Sequence, residues 1–401
     1  MGSNKSIRLS IFEWIVLRYL GRLRGGTLRL ELTSGRVENL GDGKGTEVDL
    51  KMLDEMMPRR LVLGGSMALG EGYVNASWTT SDLSALLTLL ARNQYAVGRI
   101  RKGLLVLGHW LDRLYHRRRS NTRERSKSNI EAHYDLSNDF YALFLDPTMT
   151  YSSALYERRA EESLEAAQIR KIETMLRRSA CPREGHLLEI GTGWGALALR
   201  AAQAGCRVTS LTLSQAQLAY AKELIEQAGF DEQVNLKLQD YRDEKGQYDA
   251  VVSCEMIEAV GRKYLPKYFQ TIRDCLKPGG MAVVQAITIS DDRYAQYCRS
   301  CDWIQRYIFP GGHLPSKSYM RSIVDDLGGM EFEIAESFGL DYAETLRRWR
   351  DAFNEHETEL EALGFDASFR RKWNYYLSYC EAGFETGSID VSQIVVKRLV
   401  H

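Results

Sequence analysis

The stretch Leu187-Leu-Glu-Ile-Gly-Thr-Gly-Trp-Gly195 constrains the fold of this chain more than any other. A run suited to a buried strand leads into three glycines at alternate positions, and the alanine- and leucine-rich Ala196-Leu-Ala-Leu199 follows. Glycine accepts backbone angles closed to other residues and lets a main chain approach a ligand closely. Strand, tight turn and helix in this order open a parallel α/β unit, whose ligand lies beyond the carboxyl ends of the strands.

From 165 to 290 the pattern continues as helices alternating with short apolar strands. Helix 163–178 leads to strand 186–190, the glycine loop and helix 196–204; strand 207–213 and helix 214–228 follow. Further strands are expected at 234–238, 249–253 and 281–287, with a helix over 264–276. This predicts an α/β fold with a doubly wound, mostly parallel sheet. The tail from 315 to 401 reads as mainly helical before a last strand, Gln393–Leu399, at the sheet edge.

The G-x-G-x-G spacing differs from the G-x-G-x-x-G of dinucleotide folds, which also place an acid about 20 residues on, at the ribose. Here the next strand ends in Thr212-Leu-Ser214, with no acid. The loop therefore suits a nucleoside-binding methyltransferase better than a dehydrogenase. Gln239-Asp240-Tyr241 follows strand 234–238 at the ligand side of such a sheet. Asp240 can accept from an adenine amine while an aromatic ring covers the base; a turn-forming aspartate accounts for the position equally well.

A chain of 401 residues exceeds one ordinary domain. Residues 27–63 read as a small β-containing region, Thr27-Leu-Arg-Leu-Glu-Leu-Thr33 alternating with period two, and 65–115 read as helical. The charged, apolar-free run His116–Lys127 has six Lys or Arg among its twelve residues. It reads as a solvated linker, or as a contact for anionic head groups. The expected organisation is an α+β N-terminal lipid-binding domain over 1–115, a linker over 116–128 and a catalytic domain over 129–401. Residues 7–24 mix an apolar run with Arg8, Arg18, Arg22 and Arg24. That suits a helix lying on an anionic membrane, or one packed on its own domain.

Lys plus Arg equal Asp plus Glu at 53 each, so no global charge points to nucleic acid. No apolar run approaches the roughly 20 residues of a spanning helix. Seven scattered cysteines suggest free thiols, and neither Cys298-Arg-Ser-Cys301 nor the seven histidines form a metal-ligand pattern. Met1-Gly-Ser-Asn-Lys-Ser6 fits the short myristoylation pattern, which chance or an added start would also produce.

Several separate segments identify a family. Glu131-Ala-His-Tyr-Asp-Leu-Ser-Asn-Asp-Phe140, Met149-Thr-Tyr-Ser-Ser-Ala154, Glu255-Met-Ile-Glu-Ala-Val-Gly261 and Phe309-Pro-Gly-Gly-His-Leu-Pro-Ser316 resemble the cyclopropane-fatty-acyl-phospholipid synthase family. Gly65-Ser-Met-Ala-Leu-Gly-Glu-Gly-Tyr73 is similar to the motif of its N-terminal lipid-binding domain. The resemblance implies methyl transfer from S-adenosylmethionine to a cis double bond of a phospholipid acyl chain, then proton loss that closes a cyclopropane.

It also implies residue roles. Tyr151, Ser152, Gly191, Gly193, Thr212, Leu213 and Gln217 would contact the cofactor, with Asp240 and Tyr241 at its adenine. Glu258 and Tyr342 would help hold a bicarbonate ion as base, beside Ser153, Gln285 and the backbone of Ile287. Many cyclopropane synthases carry cysteine where this chain has Ser153 and histidine where it has Gln285. Serine and glutamine still hydrogen-bond an anion, but glutamine cannot become cationic. The base could then be held differently, or the proton lost elsewhere to leave a mid-chain methylene branch that a reductase would convert to methyl. Ring formation is the leading expectation, methylene or methyl branching the alternative, and a non-catalytic lipid-binding protein the remote one. The resemblance further implies a cytoplasmic enzyme on the inner membrane face, acting on unsaturated phospholipids, and a homodimer.

Overall fold

The computed structural model describes residues 9–93 and 136–400. The basic run 116–128, the amphipathic 97–115, the N-terminal Met1–Ser6 and the first half of the Glu131–Phe140 motif lie outside the described residues.

The N-terminal part begins with helix α1 (Ile11–Leu20), opened by a capping box between Ser10 and Glu13. Strands β1 (Gly26–Glu31), β2 (Val37–Gly41) and β3 (Thr46–Met52) follow, then helix α2 (Met57–Val74), the two-residue strand β4 (Trp78–Thr79) and helix α3 (Leu83–Arg92). The strands form one sheet in the order β2-β1-β3-β4, with β1 and β3 parallel. Alternation in β1 buries Leu28 and Leu30 and leaves Arg29 outside, as period-two geometry requires. The region read as β-containing therefore ends earlier than 63, because α2 already starts at Met57 with Pro58 in its first turn.

The catalytic part opens with a short helix α4 (Asn138–Ala142) and the long α5 (Leu164–Ser179). The alternating core follows: β5 (His186–Ile190), α6 (Ala196–Gln203), β6 (Arg207–Thr212), α7 (Gln215–Gln227), β7 (Val234–Leu238), β8 (Tyr248–Cys254), α8 (Leu265–Cys275) and β9 (Leu276–Ile289). Helices α9 (Asp291–Tyr297), α10 (Trp303–Tyr307) and α11 (Lys317–Leu327) lead to β10 (Met330–Ser337). Helices α12 (Gly339–Glu355), α13 (Glu357–Ala362) and α14 (Ala367–Glu385) precede β11 (Ile389–Arg398). The seven strands lie in the order β10-β11-β9-β8-β5-β6-β7. Pairs from β9 through β7 are parallel, and β11 pairs antiparallel with both β9 and β10. Strand β10 is a correction to the mainly helical reading of the tail: Met330-Glu-Phe-Glu alternates, burying Met330 and Phe332.

Chain order reverses between β5, with β6 on one side, and β8 on the other. Such a switch point opens a crevice beyond the carboxyl ends of the strands. The loops after β5, β6, β7 and β8 all reach it.

The two parts share one apolar cluster, from Val16 and Leu28 through Phe140 and Trp303 to Trp349 and Tyr375. Helix α2 meets the catalytic part at Gly70, where a Cβ would lie 2.5 Å from Trp303 Nε1 and 2.8 Å from Tyr375 Cε1. The Gly65–Tyr73 motif thus contains a close-packing position. Its neighbour Glu71 accepts a hydrogen bond from Tyr307, and Arg371 stands 4.0 Å over the Tyr73 ring. Ser84 donates to Glu381 at 2.6 Å.

Candidate active site

The glycine loop is built as its sequence requires. Gly191, Gly193 and Gly195 adopt φ of 100°, 54° and 97°, a region favouring glycine. Gly191 and Thr192 donate their amides to Leu211 O, tying the loop to the end of β6. A Cβ on Gly191 would come within 3.2 Å of Met256, whereas one on Gly193 would meet no atom of the described residues within 4 Å. Gly193 thus faces open space at the mouth of the crevice.

After β6, Thr212 Oγ1 donates to Gln217 Oε1 at 3.1 Å, and Ser214 caps α7. Thr212 and Gln217 are buried, and Leu213 between them is half-buried. After β7, Asp240 caps the turn Tyr241–Asp243, and both its oxygens receive the Arg242 guanidinium. Its part toward adenine is therefore limited to the remaining lone pairs. Tyr241 is half-buried, packed edge-on against Tyr268 at 5.5 Å.

A buried aromatic cluster runs from the glycine loop to Tyr342, with Tyr151 as its half-buried member. Trp194 contacts Tyr141 (4.9 Å between centroids), Tyr141 contacts Tyr151 (5.2 Å), and Tyr151 stacks on Trp349 (5.2 Å). Tyr342 meets Trp349 edge-on at 6.2 Å and stacks on Phe384 at 4.5 Å. The half-buried Tyr151 ring can stabilise a nearby cation.

Beneath Tyr151, Lys171 is 1% exposed, and its Nζ donates to Ser152 Oγ at 2.6 Å and Cys254 Sγ at 3.4 Å. The lysine lies close enough to lower the pKa of Glu189 and Glu255, which makes it the buried counter-charge of the site. Glu189 itself is buried, its pKa pushed up to about 8 by desolvation against a hydrogen bond from Ser210.

Two carboxylates occupy the loop after β8. Glu255 has φ of 48°, uncommon for a side-chain-bearing residue and a mark of local strain. Its Oε1 accepts from Ser153 N at 2.9 Å and Gln285 Nε2 at 2.8 Å; its Oε2 accepts from Tyr342 OH at 2.7 Å. Glu258 Oε1 accepts from Ile287 N, while its Oε2 has no partner among the described residues. Both residues keep some accessible surface, although Glu258 Oε2 itself is buried. Burial first, and the charge of Glu255 second, push Glu258 up to about 8. Burial also raises Glu255, against its three donors and Lys171. Glu258 is therefore mainly protonated at neutral pH, whereas Glu255 has three donors to offset its burial.

The residues expected around a bicarbonate ion do converge, but not on free space. Ser153 Oγ donates to Ala154 O, and Gln285 Nε2 also approaches Ser153 O at 3.3 Å. Gln285 Oε1 accepts from Gln393, whose own oxygen accepts from Arg178. Ser153 and Gln285 are completely buried. Every donor expected for bicarbonate is committed to Glu255, Glu258 or main chain, so these side chains as placed do not fit a separate anion.

Sequence reasoning had Glu255 only as part of a motif and missed Lys171, Trp349 and Gln393. The Phe309–Ser316 motif finds its place here too: His313 N donates to Glu258 O at 2.9 Å. Among the described residues there is no group of three or more His, Cys, Asp or Glu that could hold a metal, and all seven cysteines are free.

The model of the mycolic acid cyclopropane synthetase family matches residues 121–394, about two thirds of the chain. The chain belongs to this family. A tuberculostearic acid methyltransferase of Mycobacterium tuberculosis is 40% identical over 91% of this chain and 86% of its own length. A cyclopropane-fatty-acyl-phospholipid synthase of Escherichia coli is 31% identical over 87% and 88%. Among solved structures, a cyclopropane synthase from Mycobacterium tuberculosis superposes with a TM-score of 0.62 at 31% identity, covering 68% of this chain and 98% of that one. A mycolic acid cyclopropane synthase solved with SAH and CTAB is similar at 30% identity, the same TM-score and the same coverage. The chain is an S-adenosylmethionine-dependent methyltransferase that modifies lipid acyl chains, on the α/β fold read from its sequence.

Proposed function

We propose that this enzyme methylates a cis double bond in the acyl chain of a membrane phospholipid and leaves a mid-chain methylene branch. The observation that carries the proposal is the meeting of three features at one switch point. An open glycine cradle, the half-buried Tyr151 stacked on Trp349 and the half-buried residues Glu255 and Glu258 share the crevice.

The chemistry follows from the weak nucleophilicity of an alkene. Its π electrons form a bond to the sulfonium methyl while the S–CH3 bond breaks, leaving a thioether and a cation on the adjacent chain carbon. Tyr151 stabilises that charge, and the buried aromatic cluster behind it keeps water away. A hydride shift from the methylated carbon moves the cation there, and loss of a methyl proton then gives a C=CH2 branch. Without the shift, loss of the same proton closes a cyclopropane.

The 40% identity to a protein named tuberculostearic acid methyltransferase favours branching. The similarity to cyclopropane synthases favours ring closure as the second reading. A saturated methyl branch would need a separate reductase as partner. Phospholipid access at the inner membrane face is part of the proposal, supported by α1. It exposes Ile11 and Trp14, with Arg18 5.3 Å from the Trp14 ring, the composition of an interfacial helix. No helix among the described residues is long and apolar enough to cross a membrane.

The test uses purified protein, vesicles of a cis-monounsaturated phospholipid and S-adenosylmethionine labelled at its methyl. Labelled vinylidene resonances in the extracted lipid are expected. Cyclopropane resonances would establish the second reading, and cofactor binding without labelled lipid would refute both.

A further inference from the structure

We propose that the carboxylate of Glu255 takes the place of bicarbonate as the built-in base of this enzyme. The inference rests on the acyl-methylation reading above and identifies the proton acceptor for it.

Four observations converge. First, Glu255 receives three hydrogen bonds, from Ser153 N, Gln285 Nε2 and Tyr342 OH. These are groups that the resemblance assigns to a bound anion, so the carboxylate sits where that anion would. Second, Ser153 and Gln285 are completely buried behind it, whereas Glu255 keeps accessible surface. Glu255, unlike Ser153 and Gln285, reaches the accessible surface.

Third, Glu255 adopts φ of 48°, a conformation that glycine fills without strain and other residues rarely enter. A charged side chain at a glycine-like backbone position, bonded on both oxygens, is held there by its surroundings. Fourth, the amide of Gln285 is fixed from behind. Its oxygen accepts from Gln393 Nε2 at 3.1 Å, and the Gln393 oxygen accepts from Arg178. Gln285 therefore presents its NH2 to Glu255 and cannot turn to present its oxygen.

In the step assigned to it, Glu255 accepts one proton from the new methyl after the S–CH3 bond has broken and the C–C bond has formed. The C–H electron pair becomes the C=CH2 bond, or the third ring bond, and Glu255 becomes a carboxylic acid. It then passes the proton to water. Tyr342 is a positioning residue that aims Oε2.

The full-length protein is assayed with unsaturated phospholipid vesicles in buffer freed of carbon dioxide, with and without added bicarbonate, by release of S-adenosylhomocysteine. The expected result is an equal rate in both. A rate that collapses without bicarbonate and returns with it overturns the inference, while leaving acyl methylation standing. No release of S-adenosylhomocysteine under either condition would overturn the reading beneath it, and the inference with it.

Glu255→Gln should lower kcat by about 100-fold or more, with binding of S-adenosylhomocysteine retained as proof of folding. Glu255→Gly suits the local backbone and clears the anion position. In bicarbonate-free buffer it should be inactive, and added bicarbonate should restore turnover. A glycine variant with wild-type rates in bicarbonate-free buffer would overturn the proposal.

Discussion

Glu189 closes β5 immediately before the glycine loop, and its burial makes a pH-dependent stability measurable. Its pKa is pushed from 4.5 to about 8 in the folded protein. A group raised in this way stabilises fully below its unfolded pKa, and that contribution is lost as pH rises through the folded pKa. Between these limits the folded protein keeps a proton that the unfolded chain has released, at about 1.4 kcal/mol per pH unit. From pH 5.5 to 7.5 this amounts to about 3 kcal/mol lost through Glu189. Glu258 has the same sign, and His186, whose pKa burial lowers, opposes it as pH passes its ordinary value. Comparison with Glu189→Gln cancels those shared contributions. Glutamine keeps the shape of the protonated acid, and its amide oxygen can accept from Ser210 Oγ in place of the carboxyl oxygen. Urea unfolding followed by tryptophan fluorescence at pH 5.5, 6.5 and 7.5 should give the smallest difference between the two proteins at the lowest pH. The variant should become progressively more stable relative to the wild type as pH rises. Parallel profiles, offset by a constant, would refute the claim that Glu189 is buried as the neutral acid.

Gly193→Ala places a methyl in open space at φ of 54°, so about 1–2 kcal/mol of backbone strain is expected. Calorimetry should show a loss of S-adenosylhomocysteine affinity beyond tenfold, and an unchanged Kd would remove Gly193 from the cofactor cradle. Tyr342→Phe deletes one donor to Glu255 and should lower kcat about tenfold, with cofactor affinity preserved; steady-state kinetics on vesicles separate the two. Gly70→Val drives side-chain atoms into Trp303 and Tyr375 and should cost about 1–3 kcal/mol, read as a fall in thermal midpoint.

The glycine loop and the strands around it were legible because buried parallel strands are nearly continuous apolar runs and the turn needs glycine. Strand β10 was missed although Met330-Glu-Phe-Glu carries the period-two signal; the helices on either side, α11 and α12, dominate that region. The site was legible through motifs, and its organisation was not. Glu255 gains its meaning from Ser153, Gln285 and Tyr342, which lie 102, 30 and 87 positions away in sequence. No local pattern encodes such convergence. Asp240 presents the converse case, since a residue only two positions away, Arg242, takes both its oxygens and limits the role that spacing suggested. Lys171 reads as one more charge on an amphipathic helix until its ammonium is seen between Ser152 and Cys254.

The central claim is methyl transfer to an acyl-chain double bond, and one measurement tests it most directly. The protein is produced in cells rich in monounsaturated phospholipids that make no cyclopropane or branched chains, and their fatty acids are analysed by mass spectrometry after derivatisation at the modified carbon. The account predicts chains heavier by one methylene, carrying a C=CH2 group at a former double-bond carbon. Unaltered monounsaturated chains in cells holding folded, cofactor-binding protein would contradict it.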